Sequence, residues 1–274
     1  MASLGKRHFD AVHRAVRNRL PAVALNSIWQ DIRLYAEKIG TPRGGKLQLN
    51  EADYQALRTL FRRIENWDPI TPPPTGSRTE IARHLRDDKL GSERPGDNFV
   101  LVKGNLPAPL PAIPMELSLR VPLEALALER ICNLVLVENL DSFDQWQDYR
   151  IPEALNDALV VYRGHGGLAR GTRKLIGQLP ESLCLHVFPD FDPAGLAIAV
   201  STPARSLLIP TLSNLLLEKS HRDHFERQYR QSKHLDQLKL DGWQATWQVM
   251  RENQLSIKQQ HMLALDAPLE LVPR

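Results

Sequence analysis

Between residues 131 and 209 the chain alternates between two textures, and this constrains its fold more than any other feature. Residues 131–137, 158–162, 183–188 and 206–209 are short runs rich in Val, Leu and Ile. Helix-compatible stretches at 143–158, 168–179 and 193–200 separate them. Near-continuous apolar strands must be covered on both faces, and helical crossovers supply that cover. The expectation is an α/β fold with a small parallel sheet and helices on both faces. In such sheets ligands bind beyond the carboxyl ends of the strands, so the residues just after each run are where chemistry is expected.

Three of those ends are chemically loaded. The first run leads into Glu138-Asn139, and the second into Arg163-Gly164-His165-Gly166-Gly167. The third leads into Asp190-Phe191-Asp192-Pro193-Ala194-Gly195. Alternation along an extended segment points Asp190 and Asp192 to one side. Pro193 suits the first turn of a helix, where its missing N–H costs nothing, and Asp192 could equally be that helix's cap. If the strands are parallel neighbours, Glu138, Asp190 and Asp192 converge. Packed carboxylates raise one another's pKa unless a cation lies among them. An all-oxygen donor set suits Mg²⁺ or Mn²⁺ rather than zinc.

Around this set stand further candidates. Asp141 and Asp144 could complete a second metal site or simply open a solvated helix. Arg163, His165, Arg170, Arg173 and Lys174 flank the glycine turn and could bind phosphate, with surface solubility as the alternative. His165 could also shuttle a proton. His221 and His224 have helical metal-pair spacing, but no further Cys or His supports zinc. Cys132 and Cys184 lie in apolar runs and are expected in the core; two cysteines exclude a disulfide scaffold and suit a reducing cytoplasm.

The rest of the chain is organised by charge and proline. No stretch of the 274 residues approaches 18 consecutive apolar residues, so no membrane span is expected. Residues 1–89 hold 16 Lys and Arg against 10 Asp and Glu, a net of +6, and the remainder carries −3. A basic front suggests a polyanionic partner. Ten of the 20 prolines fall between Pro69 and Pro122, which suggests extended connectors. The expected division is a basic, mainly helical domain at 1–110 that binds DNA or a partner, and an α/β catalytic domain at 111–274 ending in helices. In the first, helical spacing appears in Phe9, Val12, His13, Val16 and Leu20, then over 27–39. A third helix starts after Asn50 as N-cap, and a fourth after the Ser77–Glu80 capping box continues through Leu90. These helices followed by a short strand pair near 99–102 would suit a winged-helix module. From residue 212 onward the pattern is helical again.

The order strand-Glu138, glycine turn, strand-Asp190-x-Asp192-Pro-x-Gly resembles the Toprim domain of topoisomerases, primases and certain nucleases. Residues 134–139 and 187–195 look most like the branch holding the topoisomerase VI A subunit. Within it they are closest to the nuclease subunit of Wadjet-type plasmid-defence systems (MksG/JetD). The resemblance spans roughly residues 119–210. It implies a metal-dependent DNA endonuclease, with Glu138 as metal ligand or general acid/base and Asp190 and Asp192 as Mg²⁺ (or Mn²⁺) ligands. It also implies a glycine turn at 164–167 beside the DNA phosphate, and an SMC-like condensin complex (MksBEF/JetABC-like) as partner against plasmid DNA. A homodimer is expected, since cutting both strands needs two sites or two events.

Two departures matter. The topoisomerase-like enzymes cut with an upstream tyrosine, and here only Tyr35 and Tyr54 precede the motifs; Tyr54 lies on an apolar stripe, which favours hydrolysis by water. The defence nucleases tend to end in a Gln-Glu pair, whose nearest match is Gln259-Gln260, so an auxiliary carboxylate has become an amide. Alternatives are a tyrosine-using strand-breaking subunit, a non-catalytic DNA-binding adaptor with a degenerate acidic pocket, and a receiver-like domain. The last fits poorly, because Glu138 stands where an acidic pair is expected.

Overall fold

A computed structural model describes residues 4–36, 39–87, 96–165 and 168–274. The chain divides into two compact units, Met1–Pro95 and Gly96–Arg274.

In the first unit, α1 (Lys6–Arg17) buries Phe9, Val12, Ala15 and Val16 along one stripe. Then come β1 (Ala22–Ala24), α2 (Ser27–Tyr35), β2 (Thr41–Arg43), β3 (Lys46–Gln48), α3 (Glu51–Glu65) and α4 (Arg78–Ala82). Asn50 caps α3 by accepting the Asp53 N–H at 3.1 Å, while the Asp53 carboxylate accepts the Asn50 N–H at 2.8 Å. Phe9, Phe61 and Trp67 form an aromatic cluster with ring centroids 5.0–5.6 Å apart. Two details differ from expectation. A three-stranded antiparallel sheet, β1-β3-β2, lies among the helices. It turns on Gly44-Gly45, both at positive φ, a two-residue hairpin signal present in the sequence. The fourth helix ends at Ala82 rather than running on; Leu90 lies outside the described residues.

The second unit begins with β4 (Phe99–Gly104) and β5 (Leu119–Pro122), followed by β6 (Asn133–Val137), α5 (Leu140–Asp144), β7 (Leu159–Tyr162) and α6 (Leu168–Ile176). It continues with β8 (Cys184–Phe188), α7 (Pro193–Val200), β9 (Ser206–Pro210), α8 (Asn214–Leu217), α9 (Arg222–Arg227) and α10 (Tyr229–Leu235). It closes with α11 (Gln244–Glu252), α12 (Gln259–Ala264) and β10 (Leu269–Pro273). One seven-stranded sheet has the order β10-β9-β8-β6-β7-β4-β5. Strands β9, β8, β6 and β7 are parallel to one another. The flanking β10, β4 and β5 pair antiparallel. The sheet is therefore mixed, with the expected parallel set as its centre.

Three boundaries shift for physical reasons. Phe99–Gly104 pairs with β7, so the wing expected of the first domain belongs to the second sheet, and the division falls at Pro95 rather than at 110. The helix expected over 143–158 is a single turn of α5 plus two short 3₁₀ turns; Pro152 cannot donate to a helix. Strand β10 replaces helix at the C-terminus, on a sheet edge that tolerates its terminal proline. Cys132 is exposed and Cys184 half-buried, because each sits where its strand begins rather than at mid-strand. Among the described residues no helix is long and apolar enough to cross a membrane.

The core is centred on the parallel strands: Leu134 to Val137 in β6 and all four residues of β7 are buried. Each such Val or Leu contributes about 1.5–3 kcal/mol on removal from water. Register then aligns the strand ends. Val137 lies opposite Tyr162 on one side and Phe188 on the other, so β6, β7 and β8 end level.

Candidate functional site

Because the strands end level, the residues just beyond them are neighbours. The Glu138 N–H bonds the Phe188 carbonyl at 3.1 Å, which carries the β6–β8 ladder into the site. Oε2 of Glu138 accepts the Asp190 N–H at 3.1 Å, and Oε1 stands 3.8 Å from an Arg163 nitrogen. Burial, reinforced by the charge of Asp190, pushes the Glu138 carboxyl up to about 7 against the opposing pull of the Asp190 N–H and Arg163. Glu138 is thus poised to hold or release a proton near neutral pH.

Asp190 and Asp192 face a common cation. Oδ1 of Asp190 accepts the Gln259 N–H and the Asn139 side-chain amide, each at 2.9 Å. Its Oδ2 receives the Lys258 ammonium at 2.9 Å. Oδ1 of Asp192 caps α7 by accepting the Gly195 N–H at 2.9 Å. Its Oδ2 receives Lys258 Nζ and Gln228 Nε2, both at 2.9 Å, with the Ser256 hydroxyl at 3.4 Å. Burial works against the Lys258 charge, but the hydrogen bonds and charges of the two aspartates outweigh it and hold the ammonium above the usual lysine range.

Gln259 ties the site together. Fully buried, it donates from Nε2 to the Phe188 carbonyl at 2.9 Å and accepts the Asn139 N–H on Oε1 at 3.0 Å. The Tyr149 hydroxyl donates to its carbonyl at 3.0 Å. Gly195 is required by close approach: a Cβ there would lie 2.1 Å from the Asp190 carbonyl oxygen.

The other candidates scatter. Arg163 and Arg173 line one cleft together with Thr172, Ser201 and Thr202. Arg170 instead pairs with Asp97 at 3.3 Å and Lys174 bonds the Asn98 side chain, so both are used inside the unit. Gly164 is buried at positive φ, His165 is exposed, and Gly166 and Gly167 lie outside the described residues. Asp141 and Asp144 are exposed on α5. The His221 and His224 rings stack 4.7 Å apart. In the first unit, Tyr54 is buried with its hydroxyl donating to the Leu20 carbonyl at 2.8 Å. Tyr35 is half-buried.

The Mg²⁺ or Mn²⁺ implied by the resemblance does not fit the donor set as built. Three of the four carboxylate oxygens of Asp190 and Asp192 accept an N–H from elsewhere in the protein, and the Lys258 ammonium bridges the pair, bonding Oδ2 of Asp190 and Oδ2 of Asp192. Among the described residues no group of three or more His, Cys, Asp or Glu is placed to hold a metal. The three carboxylates stand out in the sequence by their place at strand ends; Lys258, Gln228 and the bonding role of Asn139 do not. Lys258 had one visible signal, its position directly before the Gln259-Gln260 pair. Gln260 itself is exposed.

No curated protein matches the sequence. The profile of a family described as a domain of unknown function, DUF7281, matches residues 93–271, more than half of the chain and nearly all of the second unit. The chain belongs to the DUF7281 family.

Proposed function

We propose that this chain acts on DNA, and that its second unit is a Toprim-type endonuclease domain that hydrolyses phosphodiester bonds at the sheet end bearing Glu138, Asp190 and Asp192. The observation that carries the reading is the level ending of β6, β7 and β8. It sets Glu138 against the Asp190 N–H, with Arg163 3.8 Å away. Glu138 supplies the proton-transfer group. Arg163, 3.8 Å from Glu138, offers a phosphate a guanidinium group at this sheet end, and Arg173 lines the adjoining cleft with it. Asp190 and Asp192, bridged by Lys258, hold the strand ends in place. The +6 first unit, with a winged-helix as its finer description, would dock DNA or a partner. The resemblance extends this to an SMC-like condensin partner, plasmid DNA, a cytoplasmic setting and a homodimer.

A second reading is favoured by Lys258: an adaptor that binds DNA at the same sheet end without cutting it. Supercoiled plasmid incubated with the full chain in Mg²⁺, Mn²⁺ or EDTA separates the two. Nicking that Glu138→Gln abolishes supports the nuclease. A gel shift with intact plasmid in every condition supports the adaptor, and a covalent tyrosine–DNA adduct contradicts both.

A further inference from the structure

We propose that Lys258 is the resident cation of the Asp190–Asp192 pair, so that the protein holds these two carboxylates with its own ammonium and takes up no divalent metal between them. This holds whichever reading of the function is right.

Three observations converge. First, the ammonium sits 2.9 Å from one oxygen of each aspartate, bridging them. Second, the segment that delivers Lys258 is stitched to the segment that carries the aspartates. Phe191 and Ile257 exchange N–H···O bonds of 2.8 and 3.0 Å, and directly after Lys258 the Gln259 N–H bonds Asp190. The backbone on both sides of the lysine is thereby fixed, and only its side chain could leave. Third, the neutral partners are donors whose orientation is set independently. Gln228 accepts the Ala194 N–H at 2.8 Å on its oxygen, which turns its Nε2 toward Asp192. Gln259 donates to Asp190 through its backbone N–H, and its side chain, held by the Asn139 N–H and the Phe188 carbonyl, fixes that backbone.

A magnesium ion needs near-octahedral oxygen ligands at about 2.0–2.1 Å. Around Asp190 and Asp192 it would meet N–H groups on most sides, and it would have to strand a half-buried ammonium. An ammonium with tetrahedral donors matches two facing carboxylates without rearrangement. Asp192 is 1% exposed, so the charge it carries has to be matched from within the protein.

The test follows thermal unfolding of the full chain in EDTA and in MnCl₂, together with Mn²⁺ uptake by electron paramagnetic resonance. Wild type is compared with Lys258→Arg, Lys258→Gln and Lys258→Ala. Wild type and Lys258→Arg should unfold at the same temperature with and without Mn²⁺ and show no saturable uptake. Lys258→Gln and Lys258→Ala should melt lower in EDTA, recover on adding Mn²⁺, and gain a saturable site that Asp190→Asn removes. If Lys258→Ala does not fold, Lys258→Gln carries the comparison. Saturable Mn²⁺ uptake by wild type that Asp190→Asn abolishes overturns the proposal. So does a Lys258→Gln variant as stable as wild type in EDTA. Neither readout involves cleavage, so an inactive wild type that binds no Mn²⁺ upholds this proposal while sinking the nuclease reading.

Discussion

The Lys258 ammonium lies 2.9 Å from Oδ2 of Asp192 while Oδ1 of the same carboxylate accepts the N–H of Gly195. One buried side chain thus caps α7 and pairs with a half-buried cation at once. Without Asp192 the Lys258 ammonium keeps Asp190, but Gln228 Nε2 loses its carboxylate acceptor, at about 1–3 kcal/mol for an unpaired buried polar group, and a lost cap adds about 1 kcal/mol. Asp192→Ala should therefore lower the urea midpoint substantially, and Asp192→Asn, which keeps a capping oxygen, by less. Equal midpoints for all three proteins would contradict this. An Asp190/Asp192 double alanine variant is expected to unfold rather than to report on activity alone; Glu138→Gln is the cleaner probe.

Glu138 gives the fold a pH dependence of definite sign. Its folded carboxyl is raised to about 7 from 4.5 by burial and the Asp190 charge. Between those values the native state binds more protons than the unfolded chain, so stability falls as pH rises from about 4.5 through about 7 and then levels. The shift corresponds to at most about 3 kcal/mol. Glu138→Gln should flatten this part of the stability profile and be the more stable protein at pH 8. An unchanged slope between pH 5 and 7 would show that Glu138 is ionised throughout.

Gly195 is a third test, on packing rather than charge. A methyl group there would meet the Asp190 backbone oxygen at 2.1 Å, and backbone can yield only by moving β8 or α7. Overpacking of this kind costs about 1–3 kcal/mol, sometimes more. Gly195→Ala should lower the melting temperature despite the higher helix propensity of alanine. A rise in melting temperature would mean that α7 sits further from the strand end.

Tyr54 bears on the tyrosine alternative. It is buried on α3, its hydroxyl donates to the Leu20 carbonyl, and burial raises its pKa. A hydroxyl so engaged serves the fold. Tyr54→Phe should cost about 0.5–1.5 kcal/mol and leave any DNA cutting unchanged. Loss of a covalent DNA adduct on this substitution would restore Tyr54 as a nucleophile.

The parallel strands are legible in the sequence because each is a continuous apolar run, and three of them end in Glu138, Arg163 or Asp190. Helix α7 is legible to the residue, since Asp192, Pro193 and Gly195 each have a defined place at a helix start. Weaker signals hide the rest. β1, β2 and β3 are three residues each, too short for alternation to register, although Gly44-Gly45 marks the hairpin of β2 and β3. Phe99–Gly104 reads as part of the first unit because a strand's partner, β7 here, does not appear in its own sequence. Of the candidate site, the carboxylates are legible by their position at strand ends. Lys258 is not, because it reaches them through an antiparallel bridge, Phe191 to Ile257, formed between segments more than sixty residues apart.

Whether an ammonium or a metal sits between Asp190 and Asp192 is decided most directly by a crystal structure of the wild-type full chain grown in MnCl₂, with anomalous scattering recorded for manganese. No anomalous peak is expected within coordinating distance of the two aspartates, and Lys258 Nζ should bridge them. A manganese peak shared by Asp190 and Asp192, with Lys258 turned away, would contradict the assignment of Lys258 as their cation.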